Sequence, residues 1–398
     1  MKILGKIDKH YIWIAGGLLL TAVLSITLAL ILPAPEKVQD FITLYSADFA
    51  ILHRVPLYDT PALTSLFVTQ LKLAPDFTLF PHPYPPWFAL STFFLAYLPP
   101  QQAASAWRLL NAAMLLTAAV LLTAKWNPMP RILALLAAMI FIPSIGLMVV
   151  GQYSAPVLLG AALFFYAVQR EDAPLTALGL LLMTFKPHLG LFLFPIGFCW
   201  LIFQKTPFAR RVVWMTITGG LLLAVLGFLA DPAWPIAYLR ALIQYTTIQG
   251  VSDLGLSAGF SAMLVRLIFG QGSAAWSTGL SLFLIATMLA LFWRFRIYTS
   301  LEMLMTACVL LTLLGDPYLL NYDYVLILLP LAYLIAHTKN VVIRLLIGLV
   351  YFVPWSSLIL ERQANILYAL SAVFLLVVLL QNSQCAQKPA EIGLVISK

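Results

Sequence analysis

Residues 212–230 read VVWMTITGGLLLAVLGFLA and contain no charged side chain. Similar apolar runs occupy residues 12–32, 109–124, 281–293, 325–336 and 366–380. A helix of about 20 apolar residues spans the roughly 30 Å hydrocarbon core of a bilayer. The sequence therefore predicts an all-α, polytopic integral membrane protein.

The overall composition agrees with this prediction. Of the 398 residues, 62% are hydrophobic and 10% are charged, whereas a globular protein carries about 25% charged residues. A β-barrel is excluded because its strands would alternate apolar and polar residues. Soluble enzymes and secreted disulfide scaffolds are excluded as well, and the net charge of +8 is not taken as a sign of a nucleic-acid partner.

We predict about 12 transmembrane helices in a single integral membrane domain, 1–398. The first outer loop covers 33–85, central transmembrane helices 86–230, a second outer loop 231–272 and C-terminal transmembrane helices 275–381. Segment 86–98 is short, so we expect it to be re-entrant or part of a broken span. The candidate segments are 12–32, 86–98, 103–123, 131–150, 152–169, 174–186, 188–204, 210–230, 275–294, 300–314, 318–337, 340–360 and 364–381.

The basic residues set the predicted orientation. Lys2, Lys6 and Lys9 place the N-terminus in the cytoplasm by the positive-inside rule. With this topology the inner side carries 15 of the 23 Lys and Arg residues but only 4 of the 15 acidic residues. The positive charge is therefore a topology signal, and both termini are expected to be cytoplasmic. The excess of carboxylates lies on the outer face.

The first outer loop is predicted to contain two amphipathic helices. Apolar residues recur at helical spacing in residues 39–52, and residues 60–73 repeat the pattern. Residues 80–87, FPHPYPPW, then form a rigid, aromatic approach to the membrane.

Ionisable residues are concentrated at the outer end of the predicted helices: Asp48, Lys186, His188, Asp316 and Asp323. Charges near membrane depth are costly and indicate functional sites. Each also has a simpler explanation. Asp48 could form the polar face of an interfacial helix, Lys186 could extend to the lipid headgroups, and His188 could be a hydrogen-bonded histidine at a helix end. The two late aspartates could cap a helix.

Gln152 and an aromatic set that includes Tyr84 and Trp87 complete the predicted outer site. Gln152 could instead hydrogen-bond to a neighbouring helix, and the aromatic residues could form an interfacial belt. Taken together, these residues predict an outward-facing cavity with a carboxylate, a cation, a histidine and aromatic walls.

The order of these features resembles the GT-C glycosyltransferases and, within them, glycosyltransferase family 87. The resemblance covers roughly residues 40–335. Family members often carry a His-His-Tyr arrangement late in the chain, where this sequence has Tyr322 and Asp323. The matching features, in chain order, are a cytoplasmic N-terminus before one span, Asp48-Phe49, Tyr58, Tyr84-Pro85-Pro86, Leu98-Pro99, Trp107, Asn111, Gly151-Gln152, Phe185-Lys186-Pro187-His188, Asp316-Pro317, Tyr322-Asp323-Tyr324-Val325 and Leu329-Pro330.

This resemblance implies a GT-C fold and an inverting transferase. The expected donor is a polyprenyl-phosphate sugar carrying a hexose, typically mannose, and the expected acceptor is a hydroxyl of a glycolipid or glycan. The reaction would take place at the outer face of the bacterial cytoplasmic membrane. The chain is expected to act within the lipid bilayer as a monomer.

The resemblance also implies roles for the candidate residues. Asp48 would be the general base for the acceptor hydroxyl. Lys186, with His188 or Arg266, would compensate the charge of the departing phosphate. The candidates for substrate binding are Tyr84, Trp87, Gln152, Asp316, Tyr322 and Asp323.

No cofactor is expected, because the outer loops contain no dense cluster of carboxylates, histidines or cysteines. The alternative is a divalent metal shared by Asp48 and Asp323. The rival function is a membrane transporter or flippase of a lipid-linked or glycan substrate. The long acidic outer loop and the lack of an internal repeat favour the transferase over the rival. A non-catalytic scaffold would leave the outer carboxylates unexplained.

Overall fold

The computed structural model describes residues 39–71, 76–248, 257–270 and 273–387, together with four isolated positions between 19 and 27. Throughout these residues the regular secondary structure is helical, without strands. The predicted span at 12–32, apart from those four positions, lies outside the described residues. The same is true of the basic N-terminus that set the predicted orientation.

The α-helices are numbered in chain order as α1 (Gln39–His53), α2 (Thr60–Leu71), α3 (Pro86–Thr92), α4 (Pro100–Leu122), α5 (Pro128–Ile140), α6 (Ile142–Val150), α7 (Ser154–Val168), α8 (Ala173–Met183), α9 (Pro187–Gln204), α10 (Pro207–Ala230), α11 (Trp234–Thr246), α12 (Phe260–Phe269), α13 (Ala274–Arg294), α14 (Leu301–Gly315), α15 (Leu328–His337), α16 (Val341–Val350), α17 (Ser357–Leu360) and α18 (Asn365–Gln387). Short 3-10 helices cover Phe93–Tyr97, Ile297–Thr299, Asn321–Ile327, Val353–Ser356 and Glu361–Ala364.

Six helical segments in the described part of the chain are long and apolar enough to cross a membrane. They are α4, α9, α10, α13, Val341–Leu360 and the Asn365–Gln384 part of α18. Helices α5 and α6 form a pair bent by 45°, which makes a seventh span if the pair is counted as one. The chain is therefore a multi-pass membrane protein.

The remaining apolar helices are short. Helices α7, α8, α12 and α14 have 10–15 residues, so the longest of them reach about 22 Å, less than the roughly 30 Å hydrocarbon core. The predicted span 318–337 consists of a 3-10 helix followed by the ten-residue α15. Segment 86–98 consists of the short α3 and a 3-10 helix, and its re-entrant or broken-span character stays a prediction. The figure of 12 crossings stays a prediction.

The two helices predicted in the first outer loop are present as α1 and α2. Helix α1 is buried rather than laid on a surface: Phe41, Leu44 and Tyr45 are each at most 3% exposed. It packs against α3 and the adjacent 3-10 helix, and the Tyr45 hydroxyl donates to the Leu98 carbonyl at 2.8 Å. This packing brings α1 into the helix bundle.

Helices α7 and α8 cross closely because small residues meet at their contact. A Cβ on Gly160 would lie 2.7 Å from the Gly179 carbonyl oxygen, and a Cβ on Gly179 would lie 2.7 Å from the Phe164 nitrogen. Small residues at such crossings let helix backbones approach each other in membranes. The crossing joins α7, which begins at Ser154, to the turn that carries Lys186 before α9. Both residues belong to the site described next.

Candidate active site

A buried ion pair lies at the centre of the site. The Nζ atom of Lys186 is 2.6 Å from Oδ1 of Asp323, and both side chains are 2% exposed. Nζ also donates to Gln152 Oε1 at 3.0 Å and to Ser154 Oγ at 3.1 Å. An ammonium group has three hydrogens to donate, so these acceptors engage all of them. The pair is thus held by three separate parts of the chain.

Asp323 is held by further hydrogen bonds. The Ser154 hydroxyl donates to Oδ1 at 2.5 Å, and the Leu320 amide donates to Oδ2 at 3.1 Å. Oδ2 also lies 3.9 Å from Nε2 of His188. Asp323 therefore stabilises the start of its own 3-10 helix from the third helical position, rather than as the N-cap, which is Leu320. It also pairs with Lys186.

The turn between α6 and α7 positions Gln152. The Trp107 indole donates to the Gly151 carbonyl at 2.8 Å, and the Asn111 amide donates to the Gln152 carbonyl at 3.1 Å. Gly151 has φ = 73°, a left-handed conformation that favours glycine. The Gln152 side-chain amide then donates to the Tyr322 hydroxyl at 2.8 Å. Residues of α4 thereby fix the Gln152 backbone beside the ion pair.

Asp40, at the beginning of α1, is the acidic residue that reaches this network from the first outer loop. Burial raises the pKa of its carboxyl, while hydrogen bonds with Gln152 and Tyr322 and the charge of Lys186 act in the opposite direction. The Tyr153 hydroxyl donates to the Asp40 carbonyl and holds the helix end in place. The sequence analysis did not select Asp40 as a site residue.

Asp48 lies two turns further along α1 and has different surroundings. Its side chain is fully buried, and Oδ1 accepts a hydrogen bond from Thr92 Oγ1 at 2.8 Å. Burial raises the pKa of this carboxyl well above its usual value. Asp48 contacts α3, whereas Asp40 contacts Gln152 and Tyr322 in the wall of the cavity described below. Neither carboxylate lines that cavity itself, and the role of Asp48 as the base stays a prediction.

Helical periodicity could have identified Asp40 as a second candidate. Asp40, Leu44 and Asp48 are spaced four residues apart, which places them on one face of α1. The two carboxylates are separated by about 12 Å along the axis. The sequence does not say which end of the helix meets the cavity, so the choice depends on tertiary packing.

A cavity of about 320 Å³ opens beside the ion pair. Its polar wall includes Gln152, Lys186, His188 and Asp323. Pockets of this kind, aromatic with a few convergent polar groups, are typical of small-molecule sites. Its aromatic wall consists of Tyr84, Tyr238, Tyr245, Tyr318 and Tyr322.

Three other predicted site residues lie around this cavity without lining it. The Trp87 indole donates to Thr184 Oγ1 at 3.1 Å, in an adjoining slot. Asp316 is buried and accepts from the Tyr318 amide at 2.8 Å. Burial raises the pKa of its carboxyl to about 6, although the charge of His188 acts against this. Arg266 donates to the Ser257 carbonyl at 2.5 Å.

The adjoining slot has a volume of about 290 Å³ and is mostly apolar. Its walls include Trp87 and Phe194, and it shares Pro187, Leu191 and Tyr238 with the main cavity. Leu191 is 60% exposed on the outside of the bundle. The slot therefore leads from the apolar exterior to the ion pair.

The described residues contain no group of three or more His, Cys, Asp or Glu side chains that could hold a metal ion. The two carboxylates of the metal alternative have separate partners, Thr92 for Asp48 and Lys186 for Asp323. The chemistry available to the described site is that of a carboxylate, a cation, an imidazole and phenols.

Ionisable residues buried among membrane helices, as Lys186 and Asp323 are, mark functional sites by default. The comparison with protein families gives a more specific answer. The model of glycosyltransferase family 87 matches residues 82–317, which is more than half of the chain, and the chain belongs to this family. It is therefore a membrane glycosyltransferase, with a sugar donor and an acceptor as substrates. Neither the curated proteins nor the solved structures compared with the chain gave a match.

Proposed function

We propose that the chain transfers a hexose, with mannose as the first candidate, from a polyprenyl-phosphate donor to a hydroxyl of a glycolipid or glycan, with inversion at the anomeric carbon. One observation carries this proposal: Asp40 is joined to Lys186 through Gln152 and Tyr322. A carboxylate and a cation thereby contact the same residue of the cavity wall, Gln152, and the carboxylate also contacts Tyr322.

The proposed step needs a proton acceptor on one side of the sugar and a positive charge on the other. The acceptor hydroxyl forms the new bond to the anomeric carbon as the bond from that carbon to the phosphate oxygen breaks. Asp40 takes the hydroxyl proton, and a carboxyl pKa raised by burial makes it a stronger base than an ordinary aspartate. The lipid phosphate leaves with the bonding electrons and needs no proton.

Lys186 and His188 are proposed to compensate the charge of the leaving phosphate. All three Nζ hydrogens of Lys186 are already engaged, so Lys186 acts through its charge across the cavity. His188 lines the cavity; its Nε2 is buried, lies 3.9 Å from Asp323 Oδ2 and has no hydrogen-bond partner among the described residues. His188 is proposed to turn this unpaired nitrogen towards a phosphate oxygen when the donor binds.

A lipid-linked donor is supported by the apolar slot. A water-soluble nucleotide sugar has no use for a path lined by Trp87 and Phe194 that opens at the exposed Leu191. A prenyl chain is apolar along its whole length and gains free energy from each methylene buried there. The slot thus suits a donor that remains in the bilayer.

The test compares Asp40→Asn with Asp48→Asn in the full-length protein, reconstituted in nanodiscs with radiolabelled polyprenyl-phosphate sugars and a membrane glycolipid extract. We expect Asp40→Asn to reduce transfer by at least about 100-fold, because a positioned base contributes about 10²–10⁴. Asp48→Asn should keep transfer while changing stability.

Two results would contradict the proposal. Loss of transfer in Asp48→Asn, together with full activity in Asp40→Asn, would show that Asp48 rather than Asp40 is the general base. If product formed from nucleotide sugars but from no polyprenyl-phosphate sugar, the proposal of a lipid-linked donor would be wrong. Both variants must elute as monodisperse protein for the comparison to count.

A further inference from the structure

A second group of polar residues lies at the opposite end of the helix bundle from the candidate active site. Helix α7 begins at Ser154, in the site, and is followed by Gln169 and Arg170. Helix α14, Leu301–Gly315, runs the other way, with Glu302 in its first turn and Asp316 directly after its last residue. Each helix is about 22 Å long. The two ends therefore belong to opposite sides of the same bundle.

The polar cavity at this end has a volume of about 220 Å³. Lys125 and Arg170 are both exposed at its edge. The Arg170 guanidinium lies 3.6 Å from the centre of the Tyr166 ring, which holds it in place. The only carboxylate in the cavity wall, Glu302, already accepts a hydrogen bond from the Gln169 side chain at 2.9 Å. The cavity therefore presents a net positive charge.

An apolar groove of about 320 Å³ continues from this cavity. The two share Leu122, Trp126 and Ala332 in their walls. The groove runs between α4, α5, α15 and α16, and Leu133 on its edge is 59% exposed. A Cβ on Gly348 would meet nothing within 4 Å, so the groove is open at this position.

We propose that the cavity and the groove together bind an anionic phospholipid from the leaflet opposite the active site. The headgroup phosphate lies between Lys125 and Arg170, and an acyl chain fills the groove past Gly348. An amphiphile with an anionic headgroup matches a cationic cavity that is joined to an apolar groove. Basic pockets between membrane helices favour anionic headgroups, and the two hydroxyls in the groove wall, those of Thr123 and Tyr351, already donate to backbone carbonyls.

The test measures lipid retention by native mass spectrometry of the full-length protein released from nanodiscs with equal amounts of phosphatidylglycerol and phosphatidylcholine. We expect the wild type to retain phosphatidylglycerol selectively. The double variant Lys125→Ala/Arg170→Ala should weaken this binding about 30-fold, because each basic residue near an anionic lipid contributes roughly fivefold. The control Arg210→Ala/Arg211→Ala removes the same charge from an exposed site outside the cavity and should bind like the wild type.

The groove is tested separately. Gly348→Leu adds a side chain at a position where a Cβ meets nothing within 4 Å, and it should reduce retention of the lipid by at least about tenfold, by displacing several methylenes of the acyl chain. Gly279→Leu makes the same change on α13, where an added Cβ also meets nothing within 4 Å, and should have no effect. Equal retention of the two lipids by the wild type would overturn the proposal. The proposal would also be overturned if either variant retained phosphatidylglycerol as well as its control does.

Discussion

Replacing Lys186 with methionine tests whether the buried ion pair holds the active site together. Methionine keeps much of the lysine stem but removes the ammonium that Asp323, Gln152 and Ser154 share. Removing one partner of a buried pair leaves an uncompensated charge and costs about 3–5 kcal/mol. Because the Asp323 side chain is 2% exposed, we expect a cost within this range for Lys186→Met.

The double variant Lys186→Met/Asp323→Asn removes both charges. The asparagine oxygen can accept from the Leu320 amide, and its NH2 group can donate to the Ser154 hydroxyl, which no longer accepts from Lys186. We therefore expect stability to return to within about 1 kcal/mol of the wild type, because neutral replacement of a buried pair is often tolerated. Transfer activity should be lost in both variants, since neither carries the cation. Stability and function are thereby separated.

The assay is unfolding by sodium dodecyl sulfate in mixed micelles, followed by far-UV circular dichroism. Lys339→Met is the control, because Lys339 is exposed and surface substitutions usually change stability by about 0.5 kcal/mol or less. A cost below about 1 kcal/mol for Lys186→Met would show that the ion pair does not hold these segments. Failure of the double variant to recover would show that the lost stability came from packing of the lysine stem.

Two other substitutions test the turn at Gly151 and the buried carboxyl of Asp316. Gly151→Ala should lose about 2–4 kcal/mol and most of the transfer activity: its φ is 73°, and a Cβ would lie 2.8 Å from Cβ of Phe41, the neighbour of Asp40. Gly270→Ala has φ of 71° and open space, so it should lose only about 1–2 kcal/mol; equal losses in unfolding titrations would rule out the Phe41 contact. The pKa of Asp316 is raised to about 6, so the folded state holds this proton more tightly than the unfolded chain, and the stability that it contributes is present below about pH 4 and is lost as the pH rises through 6. Asp316→Asn should therefore be more stable than the wild type at pH 7.5, by up to about 3 kcal/mol, with the difference shrinking at pH 4.5; a difference independent of pH would contradict this.

The membrane helices could be predicted because the signal is local. An uncharged run such as 212–230 appears as the long helix Pro207–Ala230, since the bilayer rather than the neighbouring helices determines its length. The broken segments depend on tertiary contacts. The late region 318–337 is as apolar as a span, yet Asp323 pairs with Lys186 and the chain there forms a 3-10 helix.

The cavity could be predicted in part. Gln152, Lys186, His188 and Asp323 were selected because polar groups are rare in this chain, and the structure brings them into one cavity. Their catalytic roles stay predictions. The sequence alone could not decide between Asp40 and Asp48 as the base. Both carboxylates lie on the side of α1 that packs against the protein, and only the packing determines which end of the helix contacts Gln152.

The site also shows that the functional unit extends past the family match. That match ends at residue 317, whereas Tyr322 and Asp323 lie beyond it and bond to residues 170 and 137 positions earlier. Contacts of such long range form only after the intervening helices have packed. Without Asp323, Lys186 would be a buried cation lacking its counter-charge, and such a state is strongly disfavoured. The ion pair therefore makes the 3-10 helix Asn321–Ile327 a requirement for the site, although this helix lies beyond the family match.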